Sequence, residues 1–137
     1  MKQQLKLVLV FSFFLFCGES KAQLDTLNYI KQFEINKANY IGKPFSKLLT
    51  DMTKIQPKTV WPQPRGRYKN EIKGSFFNFC EKEFSFHNVI NLYVEWQEIL
   101  PRDQVKFYET KNHFFFTNDE KTYYSTKIIK DIKVTRW

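Results

Sequence analysis

Two histidines and one cysteine outside the first 22 residues are the side chains most suited to metal or nucleophilic chemistry. His87 lies four residues beyond Glu83. In an extended strand both would project from the same face, but roughly 13 Å apart at about 3.3 Å per residue. That separation does not make a chelate. We therefore expect no metal site and interpret these side chains as solvated residues at a strand end.

Cys80 could pair with either histidine as nucleophile and base. It ends a phenylalanine-rich run, however, and free cysteine is among the most buried residue types, which favours a structural thiol. The acidic pairs Glu95/Glu98 and Glu81/Glu83 have the composition of glycosidase carboxylates, yet nothing around them indicates the raised pKa of an acid catalyst. The sequence also lacks a phosphate loop, a G-x-S-x-G turn and an H-E-x-x-H helix. We expect no enzyme and no cofactor, with a small hydrolase as a disfavoured alternative.

A cationic, proline-containing segment is the strongest candidate for a binding site. Five lysines and arginines lie within residues 54–69, interleaved with aromatic residues, and Glu71 is the only acidic residue close by. Guanidinium groups pair with phosphate or carboxylate, and aromatic rings stack on sugars or bases. The predicted ligand-binding residues are Lys58, Trp61, Arg65, Arg67, Tyr68 and Lys69.

A second cationic cluster lies near the C-terminus and is opposed only by Asp131. If the last strand lay beside the basic segment, the two would form one surface for an anionic ligand. Lysines on a last strand also commonly protect a sheet edge, which is the simpler interpretation. The cluster consists of Lys121, Lys127, Lys130, Lys133 and Arg136.

The first 22 residues have the pattern of a secretory signal peptide. Lys2 and Lys6 precede an apolar stretch of eleven residues, 7–17, which is shorter than the roughly 20 residues that span a bilayer as helix. Small residues at Ser20 and Ala22 suit cleavage after Ala22. We therefore expect residues 23–137 to be exported, to the periplasm or outside the cell, without a transmembrane segment.

Length and composition predict one globular domain. The chain has 137 residues and a formal charge of +8, with 42% hydrophobic and 26% charged residues. These values exclude a disordered chain and a collagen-like repeat. Removal of the signal peptide would take Cys17 with it, which leaves Cys80 and excludes an internal disulfide.

Hydrophobic spacing and capping residues predict two helices near the N-terminus and two short helices later in the chain. Residues 25–39 place Leu27, Ile30, Phe33 and Ile35 at a moderate helical spacing, and Phe45, Leu48, Leu49 and Met52 follow at i, i+3, i+4 and i+7. Residues 101–111 form a further short helix. Thr117 and Glu120 have the spacing of a capping box for a helix over 118–125.

Alternating apolar residues predict the strands. They lie over 72–80, 84–87, 89–97 and 126–136, and the proline-containing segment before them is expected to be a loop or an edge segment. In 89–97 one face is apolar and the other polar, which favours an antiparallel sheet. The predicted fold class is α+β: a small, mainly antiparallel sheet of three to four strands, with two N-terminal helices and one or two short later helices packed on one face.

Three consecutive aromatic residues follow His113. They cannot all face the core of a regular strand, so at least one lies under a loop or remains exposed. Coverage by the basic segment or by Tyr123 is the expected arrangement.

These observations favour a non-catalytic binding or interaction protein of the cell envelope. Its partner would be an anionic envelope component or an acidic protein, bound through the basic aromatic segment. An immunity-type inhibitor of a protein toxin is the alternative, since such a role uses shape and charge and needs no motif. The oligomeric state stays open.

Overall fold

A four-stranded antiparallel sheet forms the centre of the protein, in the order β1-β2-β3-β4. The computed structural model describes residues 25–136, so the predicted signal peptide lies outside the described residues. With four helices in this range, the fold is a small α+β domain, and the predicted fold class is confirmed. The strands are β1 (Thr59–Arg65), β2 (Tyr68–Asn78), β3 (Ile90–Pro101) and β4 (Ile129–Arg136).

Two helices precede the sheet and two lie between β3 and β4. Short 3-10 turns follow α1, at Lys37–Asn39, and connect β2 to β3, at Lys82–Phe84. No helix within residues 25–136 is long and apolar enough to cross a membrane. The helices are α1 (Thr26–Ile35), α2 (Phe45–Asp51), α3 (Arg102–Asn112) and α4 (Asn118–Ser125).

The apolar spacing of α1 and α2 is largely reproduced in the core. Phe45, Leu48 and Leu49 of α2 are all buried. In α1, Phe33 is buried as expected, whereas Ile35 is 66% exposed. Two positions at 100° per residue turn Ile35 about 200° away from Phe33, so the expectation that it faces the core is wrong.

The predicted capping box is present at the start of α4. The Asp119 amide donates to Thr117 Oγ1 at 3.2 Å, and the Thr117 amide donates to Glu120 Oε2 at 2.9 Å. Two backbone amides at the start of the helix, those of Thr117 and Asp119, are thereby satisfied. The helix begins at Asn118, where the sequence pattern places it.

One face of the sheet builds the hydrophobic core with side chains from all four helices. The predicted alternation in β3 is confirmed: Leu92, Val94 and Trp96 are buried in this core. Trp96 lies near its centre, stacked on Tyr124 with ring centroids 5.5 Å apart, and its indole N–H donates to Ser75 Oγ at 3.1 Å. This hydrogen bond satisfies the buried indole N–H and holds the ring in one orientation.

The segment 84–87 is a loop, and the prediction of a strand there is wrong. Phe84 and Phe86 are 65% and 71% exposed. The 3-10 turn that ends at Phe84 and the left-handed backbone of Asn88, with φ +52°, turn the chain between β2 and β3. Two alternating phenylalanines are too few to form a strand in place of this turn.

Candidate binding surface on the β1–β2 hairpin

The end of the β1–β2 hairpin, residues 65–70, projects beyond the rest of the sheet; we call it the hairpin tip. All six of its residues are exposed. Pairing of β2 with β3 begins at Glu71, opposite Pro101, so no third strand from the described part of the chain flanks the tip. Gly66 supplies the left-handed turn, with φ +54°, that a non-glycine residue adopts at a cost.

Three cations and one aromatic side chain face water at the tip. Arg65 donates to Glu71 at 3.2 Å in an exposed ion pair. Arg67 and Lys69 have no carboxylate partner among the described residues. The Tyr68 side chain is 66% exposed. The tip therefore carries two cationic groups available to a ligand.

The two remaining predicted site residues lie at the base of the hairpin. Trp61 is four residues before Arg65, about 13 Å along a strand. Lys58 pairs with Glu81, on the segment after β2. The structure thus brings together Arg65, Arg67, Tyr68 and Lys69, and it separates them from Lys58 and Trp61.

Trp61 is held by a segment that runs beside β1. The Val60 amide donates to the Phe114 carbonyl at 3.0 Å, and the Phe116 amide donates to the Lys58 carbonyl at 2.9 Å. The Phe114 ring stacks on the Trp61 indole, with centroids 4.3 Å apart and planes at 16°. The expected coverage by the basic segment holds for Phe114, which lies against Trp61, and Phe116 packs on the core. It does not hold for Phe115, which is 43% exposed.

Four aromatic residues form a row across the sheet face that points away from the core cluster. Phe114 stacks on Trp61, Trp61 is the register partner of Phe76, and Phe76 lies 4.9 Å from Tyr93 between ring centroids. Burial, with the nearby Glu95 carboxylate, raises the pKa of Tyr93 to about 12. We call Phe114, Trp61, Phe76 and Tyr93 the aromatic row.

A cleft of about 410 Å³ lies on this face, between the aromatic row and the loop after β2; we call it the outer cleft. Phe86 of the loop contacts Trp61 edge-on, with centroids 5.8 Å apart. Asn78 and Asn91, paired across β2 and β3, are 2% and 1% exposed. The aromatic lining is Trp61, Phe76 and Phe86, and the polar lining includes Asn78, Ser85 and Asn91.

Two oxygens in the lining of the outer cleft lack hydrogen bonds. Asn78 Oδ1 and Ser85 Oγ are buried and have no partner in the described part of the chain. Asn91 is better satisfied, since its Nδ2 donates to the Val89 carbonyl at 3.2 Å. An unsatisfied buried oxygen costs about 1–3 kcal/mol, so two such oxygens on residues that line the same cleft require an explanation.

The sequence analysis did not identify these cleft residues. Asn78 interrupts a phenylalanine-rich strand, and a polar residue at that position is the one signal that the sequence offers. Ser85 and Phe86 lie in residues 84–87, for which the sequence pattern predicts a strand, so the pattern does not indicate that they line a cleft. Only the chain reversal at Asn88 brings them over the sheet.

The C-terminal cations do not join the basic segment. β4 and β1 are opposite edges of the sheet, three strand spacings apart, or about 14 Å at ~4.8 Å per strand. The two cationic clusters therefore do not form one surface for an anionic ligand. Lys133, for example, faces its register partner Tyr93 at the far end of the aromatic row.

The histidine, glutamate and cysteine considered for catalysis lie in and beside the loop after β2. His87 and Glu83 are exposed, and Cys80 is a half-buried free thiol. Within residues 25–136 no group of three or more histidine, cysteine, aspartate and glutamate side chains is arranged to hold a metal ion.

Comparison of the chain with models of known families, with curated proteins and with solved structures finds no significant match. The function must therefore be argued from the geometry of this molecule.

Proposed function

We propose that this chain is a non-catalytic binding protein of the cell envelope, and that the hairpin tip is the surface that contacts its partner. The partner is an anionic envelope component or an acidic protein. The observation that carries the proposal is the presence of Arg67 and Lys69 on a projecting, exposed tip, where neither has a carboxylate partner among the described residues.

The shape of the hairpin supports this role. Pro62 and Pro64 restrict the backbone of β1, which limits the entropy lost when the tip becomes ordered on a ligand. Tyr68 lies between Arg67 and Lys69 and adds an exposed amphipathic ring of the kind enriched at interfaces. Electrostatic attraction by such a tip acts mainly on association and weakens with salt.

The site of action is part of the same proposal. The sequence pattern of residues 1–22 supports export with cleavage after Ala22, to the periplasm or outside the cell. Mass spectrometry of the protein from its own cells is expected to find Gln23 as the first residue. A chain that retains Met1 contradicts the proposed export.

Binding to vesicles tests the tip. Vesicles of phosphatidylglycerol and phosphatidylethanolamine in equal parts are compared with vesicles of phosphatidylcholine alone. The protein is expected to bind the first and not the second, with an affinity that falls steeply as salt rises. Each cation near an anionic membrane contributes about 1 kcal/mol, so Arg67→Ala with Lys69→Ala is expected to weaken binding roughly thirtyfold.

A matched variant controls for net charge. Lys43→Ala with Lys106→Ala removes two exposed cations elsewhere and is expected to change the affinity much less. If the two double variants bind alike, the attraction comes from overall charge and the tip has no special role. If heparin binds with the same dependence on Arg67 and Lys69 and the anionic vesicles do not, the partner is an anionic polymer. Absence of binding to both probes at low salt rejects the proposal.

A further inference from the structure

The outer cleft is a second site, and it is independent of the hairpin tip. We propose that it binds one ring of a neutral saccharide. The aromatic lining takes the apolar face of the ring, and the buried oxygens of Asn78 and Ser85 hydrogen-bond to its hydroxyl groups.

The size and lining of the outer cleft fit a small ligand. Its volume of about 410 Å³ lies in the range of small-molecule sites, roughly 300–1,000 Å³. Such sites combine a mostly apolar wall with a few polar groups that set the orientation of the ligand. Here the wall is aromatic and the polar groups are asparagine and serine side chains.

The two unsatisfied oxygens indicate what the ligand must donate. Asn78 is 2% exposed, yet its Oδ1 has no hydrogen-bond partner in the described residues. Ser85 Oγ is also buried and also has no partner there. An amide oxygen accepts hydrogen bonds, and a serine hydroxyl both accepts and donates. A ligand rich in hydroxyl groups satisfies both at once. Removal of their desolvation cost then contributes to affinity.

The absence of charge in the lining distinguishes a saccharide from a nucleotide. None of the cleft-lining residues in the described part of the chain is ionisable. Lys82, in the 3-10 turn before Ser85, lies over the Phe114 and Phe115 rings, 5.8 and 5.3 Å from their centroids. A nucleotide would bring a phosphate group that the lining has no group to neutralise. A neutral ring with hydroxyl groups has no such cost.

The aromatic surfaces provide the platform for a sugar ring. The Phe114 ring stacks on one face of Trp61, and Phe86 contacts the same indole edge-on. These contacts hold the indole in place before a ligand arrives, which reduces the entropy cost of binding. Phe86 is 71% exposed, so its exposed surface is available to cover a bound ring.

The experiment is a screen of the protein, residues 23–137, on an array of neutral glycans, followed by calorimetry with the best oligosaccharide. Binding is expected to be insensitive to salt, because no ion pair forms. Phe86→Ala is expected to weaken it roughly tenfold. The matched control Phe107→Ala, on α3 and 60% exposed, should leave the affinity unchanged.

Ser85→Ala separates a binding role from a structural one. The hydroxyl has no partner in the described residues, so its removal should not lower the free energy of unfolding, yet it should weaken saccharide binding about threefold to tenfold. A purely structural serine would show the opposite result.

The outcomes test the saccharide proposal separately from the proposal for the hairpin tip. If no neutral glycan binds, or if a nucleoside monophosphate binds in its place, the saccharide proposal is rejected. Glycan binding that is unaffected by both Phe86→Ala and Ser85→Ala also rejects it, because the ligand then lies elsewhere. Arg67→Ala with Lys69→Ala should not change glycan affinity, so failure of the tip proposal leaves this result intact.

Discussion

Glu120 is a buried carboxylate, 1% exposed, that connects the end of α3 to the start of α4. It accepts hydrogen bonds from the Thr117 amide at 2.9 Å and from Asn112 Nδ2 at 2.8 Å. Glu120→Gln places an amide group opposite one of these donors. Hydrogen bonds to a charged group contribute about 1.5–3 kcal/mol, so we expect a loss of that size in the free energy of unfolding, measured in urea.

Glu98→Gln is the control for this substitution. Glu98 is exposed on β3, and its change removes the same charge. It is expected to alter stability by less than about 0.5 kcal/mol, as most surface substitutions do. Equal stability of the two variants would contradict the structural role of Glu120.

His113 ends α3 in the left-handed region, with φ +52° and ψ +43°. This conformation is unfavourable for a residue with a Cβ atom, and glycine is preferred at such a helix end. We expect His113→Gly to raise the free energy of unfolding by about 0.5–1 kcal/mol, measured in urea. Lys106→Gly, in the exposed interior of the same helix, should lower it by a similar amount. A loss in both variants would show that the left-handed turn carries no strain.

At the scale of elements, β1 is an edge strand whose free side contains prolines. The Val60 amide points away from β2, toward the Phe114 carbonyl, and amide directions alternate along a strand. The backbone nitrogen of residue 62 therefore also points away from β2. Because this residue is proline, the nitrogen has no hydrogen to donate to another chain. The proline thus protects the edge beyond the short segment that covers it.

Pro62→Thr restores an outward amide and tests this role. We expect association to rise with protein concentration in sedimentation velocity, because an open edge pairs with a second copy. The matched variant Gln63→Thr changes a neighbouring position whose amide points the other way. A monomer for Pro62→Thr at every concentration would show that residues 114–116 alone protect the edge.

At the scale of the whole molecule, burial of phenol groups makes stability sensitive to alkaline pH. Burial raises the pKa of Tyr40, Tyr93 and Tyr123 to about 12 in each case, and it raises that of Tyr124 further. The unfolded chain releases these protons near pH 10 while the folded chain retains them. The stabilisation is complete below pH 10 and is lost as the pH rises toward 12.

We therefore expect the free energy of unfolding to fall between pH 10 and pH 12. Phenolate absorbance should show at least four of the seven tyrosines still protonated in the folded protein at pH 11. The same titration in denaturant provides the reference. Tyr93→Phe should reduce the pH dependence, and an identical titration in the folded and unfolded states would contradict the buried positions of these phenols.

Local patterns in the sequence determined several elements correctly. The spacing of Phe45, Leu48 and Leu49, the Thr117–Glu120 capping box and the alternation in β3 each depend on neighbours within a few residues. The prolines of residues 54–70 predict a loop or an edge segment, and the structure has the edge strand β1 there, although the sequence pattern did not indicate that it pairs with β2 as a hairpin. Interactions between near neighbours are encoded in a short window, so the sequence alone is sufficient for them.

The outer cleft and the separation of the two cationic clusters are decided only by the tertiary structure. Asn78 and Ser85 come together because the chain reverses after β2 and lays a loop over the sheet. Trp61 acquires its partner Phe114 from a segment more than fifty residues away. Strand order places β1 and β4 on opposite edges. These arrangements depend on which distant surfaces pack against each other to bury apolar area, and no local spacing of residue types records that choice.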